Sequence, residues 1–199
     1  MQDIIYKRVD LNEELGQIIE LQKINIPTSI SEHESKSEGF VTVHHDFEIL
    51  KTMNGKCAHI IAKSGSKVIG YPLCMLKEFK ENIEVLKPMF QQIYKCLNKN
   101  KTYLVMGQIC VDKAFIKRGV FRGMYDFMKQ EMSSKYDMII TEGDEKNTRS
   151  LNAHYAVGFK LLYSYNSSQQ DWALLVWDSV SFVNQGSAAK TSGRESVNS

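Results

Sequence analysis

Cysteine is scarce and scattered in this chain. Its 199 residues hold four, Cys57, Cys74, Cys96 and Cys110, with no C-x-x-C among them. That spacing argues against a disulfide framework and against a cysteine metal site, so no metal is expected; three of the four sit in apolar segments and read as reduced core thiols of a cytoplasmic protein. Long apolar runs are missing, and the start Met1-Gln2-Asp3 carries no secretory pattern, so no membrane partner is expected. A large charge excess is also missing. The net charge is +2, and composition demands neither nucleic acid nor an acidic surface as a partner. There are no internal repeats. Two phosphate-binding fingerprints are absent as well, G-x-G-x-x-G and G-x-x-x-x-G-K-[ST]. What is present is an ordinary globular composition, 43% apolar and 24% charged. It suits one domain over residues 1–179. Residues 180–199, small, polar and poor in aromatics, are expected to form a disordered tail.

Hydrophobic periodicity orders the elements. Ile4 to Val9 reads as a strand. Leu11 to Lys23 reads as an amphipathic helix with Asn12 as a candidate cap. Ile26 to Gly39 loses the pattern and reads as a mobile loop. Gly39 to Val43 is β-prone, and Phe47 to Met53 suits one or two helical turns. Cys57 to Lys63 and Lys67 to Leu76 form a hairpin around Gly65-Ser66. A loop and a helix around Pro88 fill Glu78 to Asn100. Strands follow at Tyr103 to Cys110, Tyr136 to Thr141, Phe159 to Tyr165 and Trp172 to Trp177, with helices over Gly119 to Ser134 and Asn147 to Val157. The order describes a mixed α/β domain, with antiparallel strands at both ends and a parallel portion in the middle.

Two stretches carry chemistry. The first joins the strand Tyr103 to Cys110, through Val111-Asp112-Lys113-Ala114-Phe115-Ile116-Lys117-Arg118-Gly119, to the helix that begins at Val120. A loop entering a helix in this way presents unpaired backbone N–H groups and the positive end of the helix dipole. Lys117, Arg118 and Arg122 add cations, and Gly119 allows a close approach. A pyrophosphate or another multiply charged anion suits it. The second stretch runs from Thr141-Glu142 to Gly158-Phe159. Gly158 is a natural helix stop, and Asn147 or Asp144 can cap the helix start. His154 and Tyr155 lie near that helix's end, with Glu142 closing the preceding strand. An imidazole or phenol so placed can protonate a leaving group.

Together the two stretches resemble the GNAT superfamily of acyl-CoA-dependent N-acyltransferases. Gly119 falls eight residues after Val111, where the family has the first glycine of [Q/R]-x-x-G-x-[G/A], and Asn147, Ser150, His154, Gly158 and Phe159 match the second motif. Ile116 and Phe121 depart from the first motif, and His154 stands at the usual tyrosine position. The resemblance spans Ile4 to about Trp177 and implies a central mixed sheet of about six to seven strands flanked by helices. It implies acetyl-CoA as co-substrate, held by Cys110, Val111, Lys117, Arg118, Gly119, Val120, Phe121 and Arg122, with Asn147 and Ser150 at the pantetheine end. A primary amine, expected to be that of a small molecule, attacks the thioester directly. His154 or Tyr155 protonates the thiolate, and Glu142 serves as base, directly or through water. A non-catalytic acyl-CoA sensor or scaffold is the alternative that the resemblance leaves open. Oligomeric state is open too, with a homodimer through the C-terminal strands as a common family arrangement.

Other side chains read as structural. His44-His45 lacks a further ligand at useful spacing. Glu32, Glu34 and Glu38 form a solvated loop, although Glu38-Gly39-Phe40 could face substrate. Met124, Met128 and Met132 belong to a helix core.

Overall fold

The computed structural model describes residues 3–25, 45–81, 83, 86–98 and 100–178. The loop expected over 26–39, the β-prone segment 39–43, His44 and the tail 180–199 lie outside the described residues. The strands are β1 (Ile4–Arg8), β2 (Ile60–Ser64), β3 (Lys67–Met75), β4 (Tyr103–Val111), β5 (Met138–Asp144), β6 (Lys160–Ser167) and β7 (Gln170–Asp178). The helices are α1 (Asn12–Lys23), α2 (Phe47–Lys56), α3 (Lys87–Cys96), α4 (Val120–Met132) and α5 (Thr148–Ala156). The strands form one sheet in the order β1-β2-β3-β4-β5-β7-β6. Every neighbouring pair is antiparallel except β4 with β5. This is the mixed sheet with a parallel centre that the sequence led us to expect.

Period-two alternation sends neighbouring residues to opposite faces. Leu104, Ile139 and Leu175 pack with Tyr125, Met128 and Met132 of α4 and Leu151 of α5. Val105, Ile140 and Leu174 pack with Met89, Phe90 and Ile93 of α3. On that second face, α1 and α2 cover β2 and β3 through Leu15, Ile18 and Leu50. Each such fully buried side chain contributes about 1.5–3 kcal/mol.

Some element ends differ from the sequence reading. Asn12 is the first residue of α1 and not its cap. The end is closed instead by Glu14, whose carboxylate accepts from the N–H groups of Asp10 at 3.2 Å and Leu11 at 3.4 Å. Lys7 and Lys63 hold that buried carboxylate, each at 2.9 Å, and its pKa falls to about 2 although burial opposes this. The α2 helix runs to Lys56, past Asn54-Gly55, because Asn54 is used: its side chain accepts from His59 N–H at 2.8 Å. The β5 strand runs three residues past Thr141, taking Glu142, Gly143 and Asp144 into register with Leu174, Ala173 and Trp172 of β7.

The feature that positions the site is where β4 and β5 part. Their register is Tyr103↔Met138, Leu104↔Ile139 and Val105↔Ile140, and it ends there. Beyond it β4 stays paired to β3 as far as Gly70↔Val111, while β5 stays paired to β7 as far as Asp144↔Trp172. A register shift between Leu73 and Cys74 of β3, opposite Gln108 and Met106 of β4, marks the departure.

Candidate active site

At the end of β4, Asp112 fixes the start of the loop. Its carboxylate accepts from Ala114 N–H at 3.0 Å and pairs with Lys67 at 2.7 Å, and its own N–H donates to Ile69 at 2.8 Å. One 3₁₀ turn, Lys113–Phe115, follows. The chain then turns sharply. Lys117 and Gly119 both take left-handed backbone, at φ 64° and 78°. Gly119 is the N-cap of α4, and no side chain among the described residues caps that helix end. A Cβ on Gly119 would meet nothing within 4 Å, so the requirement for glycine there is conformational. Lys117 was not recognisable as a left-handed residue, since lysine gives no sign of it.

A cavity of about 410 Å³ opens at the end of β4, past the point where it leaves β5, under this loop and beside α5. Of the residues expected to hold the cofactor, Cys110, Val111, Lys117, Gly119, Val120, Phe121, Arg122, Asn147 and Ser150 line it. The sequence reading missed the other lining residues, apolar ones such as Ile109 and Phe115 and three polar ones, Lys113, Arg149 and Asn25. Lys113 and Arg149 flank motif positions and could have been found by counting cations near them. Asn25, beyond the end of α1, arrives from far away in sequence and gave no local signal. Asn147 caps α5 by accepting from Ser150 N–H at 3.1 Å. Asp144, the other candidate cap, instead accepts from Lys146 N–H at 2.8 Å.

Arg118 is placed differently. Its guanidinium lies over the Phe115 ring, 4.7 Å from the centroid, and its side chain is not in the lining. Arg122 donates to the Ala156 carbonyl at 3.0 Å, tying α4 to the end of α5.

The expected acid is also placed differently. His154 is 3% exposed and does not line the cavity. It packs edge-on against Phe121, Tyr125 and Phe159, with centroids 5.3–5.5 Å apart. Phe121, the large residue at a usually small motif position, is the cavity wall against which it rests. The His154 Nδ1 lies 2.7 Å from the Ser150 carbonyl, which makes it the protonated nitrogen. Burial lowers the pKa to about 4, and Nε2 has no partner among the described residues. His154 is therefore neutral at pH 7 with its one proton committed to the backbone. Tyr155 is 41% exposed and outside the lining. The structure brings neither to the cavity as a proton donor.

Glu142 lies on the other face of the sheet. It is two residues beyond Ile140 on β5 and opposite Leu174, which puts it on the side of α3. Its carboxylate accepts from the Tyr165 hydroxyl of β6. Burial pushes the carboxyl up to about 7, with the Tyr165 hydrogen bond opposing. Tyr165 was missed by the sequence reading. Its signal was weak: a phenol alternating with Tyr163 on an edge strand. No group of three His, Cys, Asp or Glu that could hold a metal occurs among the described residues.

No family model and no curated protein sequence matches the chain. Solved structures do. The NatC complex bound to Gag peptide and CoA matches with a TM-score of 0.60 at 17% identity, over 88% of this chain and 98% of that one. Arabidopsis thaliana NAA60 in complex with acetyl-CoA matches at 0.62 and 12% identity, over 88% and 99%. The ribosomal-protein-S18-alanine N-acetyltransferase from Escherichia coli matches at 0.60 and 8% identity, over 88% and 94%. The fold of the chain is the GNAT fold.

Proposed function

From that shared fold we propose that this protein is an acetyl-CoA-dependent N-acetyltransferase acting on a primary amine. The observation that carries the reading is the juxtaposition of an uncapped, cation-ringed helix start with the gap between β4 and β5. The N–H groups at the start of α4, with Lys113, Lys117, Arg122 and Arg149 around the cavity, suit a pyrophosphate. The gap offers strand backbone to the amides of a pantetheine arm, and Asn147 and Ser150 stand along its far wall.

The amine enters from the α3 face, where Glu142 sits. Glu142, in its ionised form, takes one proton from the ammonium, directly or through water. The free amine attacks the thioester carbonyl and a C–N bond forms. The intermediate collapses, the C–S bond breaks, and the second proton shed by nitrogen passes to the departing sulfur through water. This route needs no proton from His154, whose role is to fill the space behind Phe121. Much of the acceleration comes from holding the two substrates in contact across the sheet.

The acceptor is assigned as the amine of a small molecule, since composition offers no strong charge field for a macromolecule. One observation favours a polypeptide N-terminus instead: the matching NatC structure holds a peptide. A sensor that binds acyl-CoA without turnover is favoured by the position of His154 and Tyr155 outside the cavity lining. The deciding experiment is calorimetric titration with acetyl-CoA, followed by thiol release against polyamines, amino acids and short peptides. Binding with release on one class names the acceptor. Binding without release on any class supports the sensor. No binding removes the whole reading.

A further inference from the structure

Away from the cavity, two of the four cysteines lie side by side. Cys57 ends α2, and Cys74 lies on β3 at its register shift. The Cys74 N–H donates to Nδ1 of His59 at 3.1 Å, which holds Cys74 beside a residue two positions from Cys57. The two thiols are within hydrogen-bonding reach of each other. Arg8 of β1 reaches across. Its Nη2 is 3.6 Å from the Cys57 sulfur and 3.1 Å from the Ala58 carbonyl, and its Nη1 is 3.7 Å from Glu131. Lys135 adds positive potential, and the Tyr136 hydroxyl is within hydrogen-bonding reach of Cys57. Cys57 is 7% exposed and Cys74 is 0% exposed.

We propose that Cys57, Cys74 and Arg8 form a peroxide-reactive dithiol site, in which Cys57 is oxidised first and Cys74 closes a disulfide onto it. A reactive thiol needs a cation beside it and some exposure to a small oxidant, and Cys57 has Arg8 at 3.6 Å and a 7% exposed surface. A resolving thiol needs to be adjacent and shielded, as Cys74 is. The Cys74 hydrogen bond and the Arg8 charge lower the Cys57 thiol, against burial, while the Cys74 thiol is pushed well up. The two cysteines are thereby unequal. Cys57 is the thiol more readily ionised, and Cys74 is the one that holds its proton.

The chemistry balances with hydrogen peroxide as oxidant. The Cys57 thiolate attacks one peroxide oxygen, an S–O bond forms, the O–O bond breaks, and hydroxide leaves to be protonated. The Cys74 sulfur then attacks the Cys57 sulfur. An S–S bond forms, the S–O bond breaks, and a second water leaves. Two thiols lose two electrons and one peroxide becomes two waters. Cys96 and Cys110 lie outside this cluster and serve as internal references.

The test is peptide mass mapping of the full chain after hydrogen peroxide at pH 7. The expected product is a Cys57–Cys74 crosslink, two hydrogens lighter and reversed by dithiothreitol. In Cys74→Ser the reaction stops at a Cys57 sulfenic acid, captured as a dimedone adduct. A second measurement follows methyl methanethiosulfonate labelling of Cys57 against pH. The rate should be half-maximal below the ordinary thiol range, and Arg8→Gln should move that midpoint upward by about one pH unit or more. Arg8→Lys, which keeps the charge, should move it less. Three results would each overturn the proposal: a Cys57 that peroxide leaves unmodified, a labelling midpoint matching that of Cys96, and a midpoint indifferent to Arg8→Gln.

Discussion

The two halves of the β4–β5 pair are built from neighbouring residues and do opposite things. In the first half, Tyr103 to Val105 and Met138 to Ile140 are paired in register, and hydrophobic side chains pack on both faces. In the second half the same strands separate, each still held on its outer side by β3 or β7. There Gln108, Thr141 and Glu142 join apolar residues such as Ile109 and Val111, and the chain between β4 and α4 brings cations. The contrast teaches that cohesion and binding need not be assigned to different elements. On the proposed reading one strand pair supplies both, because its partners on either side hold the open half in place.

The comparison breaks first at Glu142. Replacing it with Gln should lower kcat by about 10²–10⁴-fold, in the range of a lost general base, and leave calorimetric acetyl-CoA affinity intact. The sign of the pH dependence follows from burial. Glu142 is held up at about 7, so its basic form, and with it kcat/KM, grows as pH rises through 7, and the Gln variant should lose that limb. The same shift acts oppositely on the fold: stability from the neutral carboxyl is full below its unfolded value and is lost as pH rises through 7.

Next comes the loop. Gly119→Glu puts a carboxylate at the positive end of α4, facing the proposed pyrophosphate site. A unit charge at ~4 Å in the surface dielectric costs about 4 kcal/mol, so acetyl-CoA affinity should fall by about 100-fold or more. Left-handed strain adds ~1–2 kcal/mol of lost stability. Calorimetry and a thermal melt read the two separately.

The closed half should answer in the other currency. Ile140→Ala removes a fully buried side chain between β5 and α3 and should cost about 2–5 kcal/mol of stability in a denaturant titration. Acetyl-CoA affinity at low temperature should hold. A variant that loses affinity and stability together would show that the two halves are one unit.

The smallest effect is the most discriminating. Lys117 sits at φ 64°, a conformation that glycine adopts freely. Lys117→Gly should stabilise the fold by ~0.5–1 kcal/mol while weakening acetyl-CoA binding about threefold through loss of a cation. Opposite signs from one substitution would confirm that the loop accepts strain in exchange for charge.

The order of strands and helices was legible in the sequence because it is written in local periodicity. The loop from Val111 to Gly119 and the Asn147 cap were legible for the same reason: each is a short, contiguous pattern. The strand end at Asp144 was not. Glu142, Gly143 and Asp144 look like a turn, and only pairing with β7 makes them strand. Asn25 and Tyr165 come from distant parts of the chain, and register places them, not composition. His154 was read by its position in a motif. Whether its proton is available depends on Ser150, Phe121, Tyr125 and Phe159 around it, which no spacing reveals.

The parting of β4 from β5 has a consequence for what the protein can safely admit. A strand edge with free peptide groups ordinarily invites another polypeptide to add to it, and proteins guard such edges at the rim of a sheet. Here the edge is interior. It has strands on both flanks, α4 and α5 over one face and α1 and α3 over the other. A second protein strand would have to bring side chains on alternate faces into those layers. A thin linear molecule that carries amides of its own would not. On the proposed reading the gap acts as a filter on molecular thickness, keeping a sticky backbone available to a small ligand while the flanking strands shield it from a neighbouring chain.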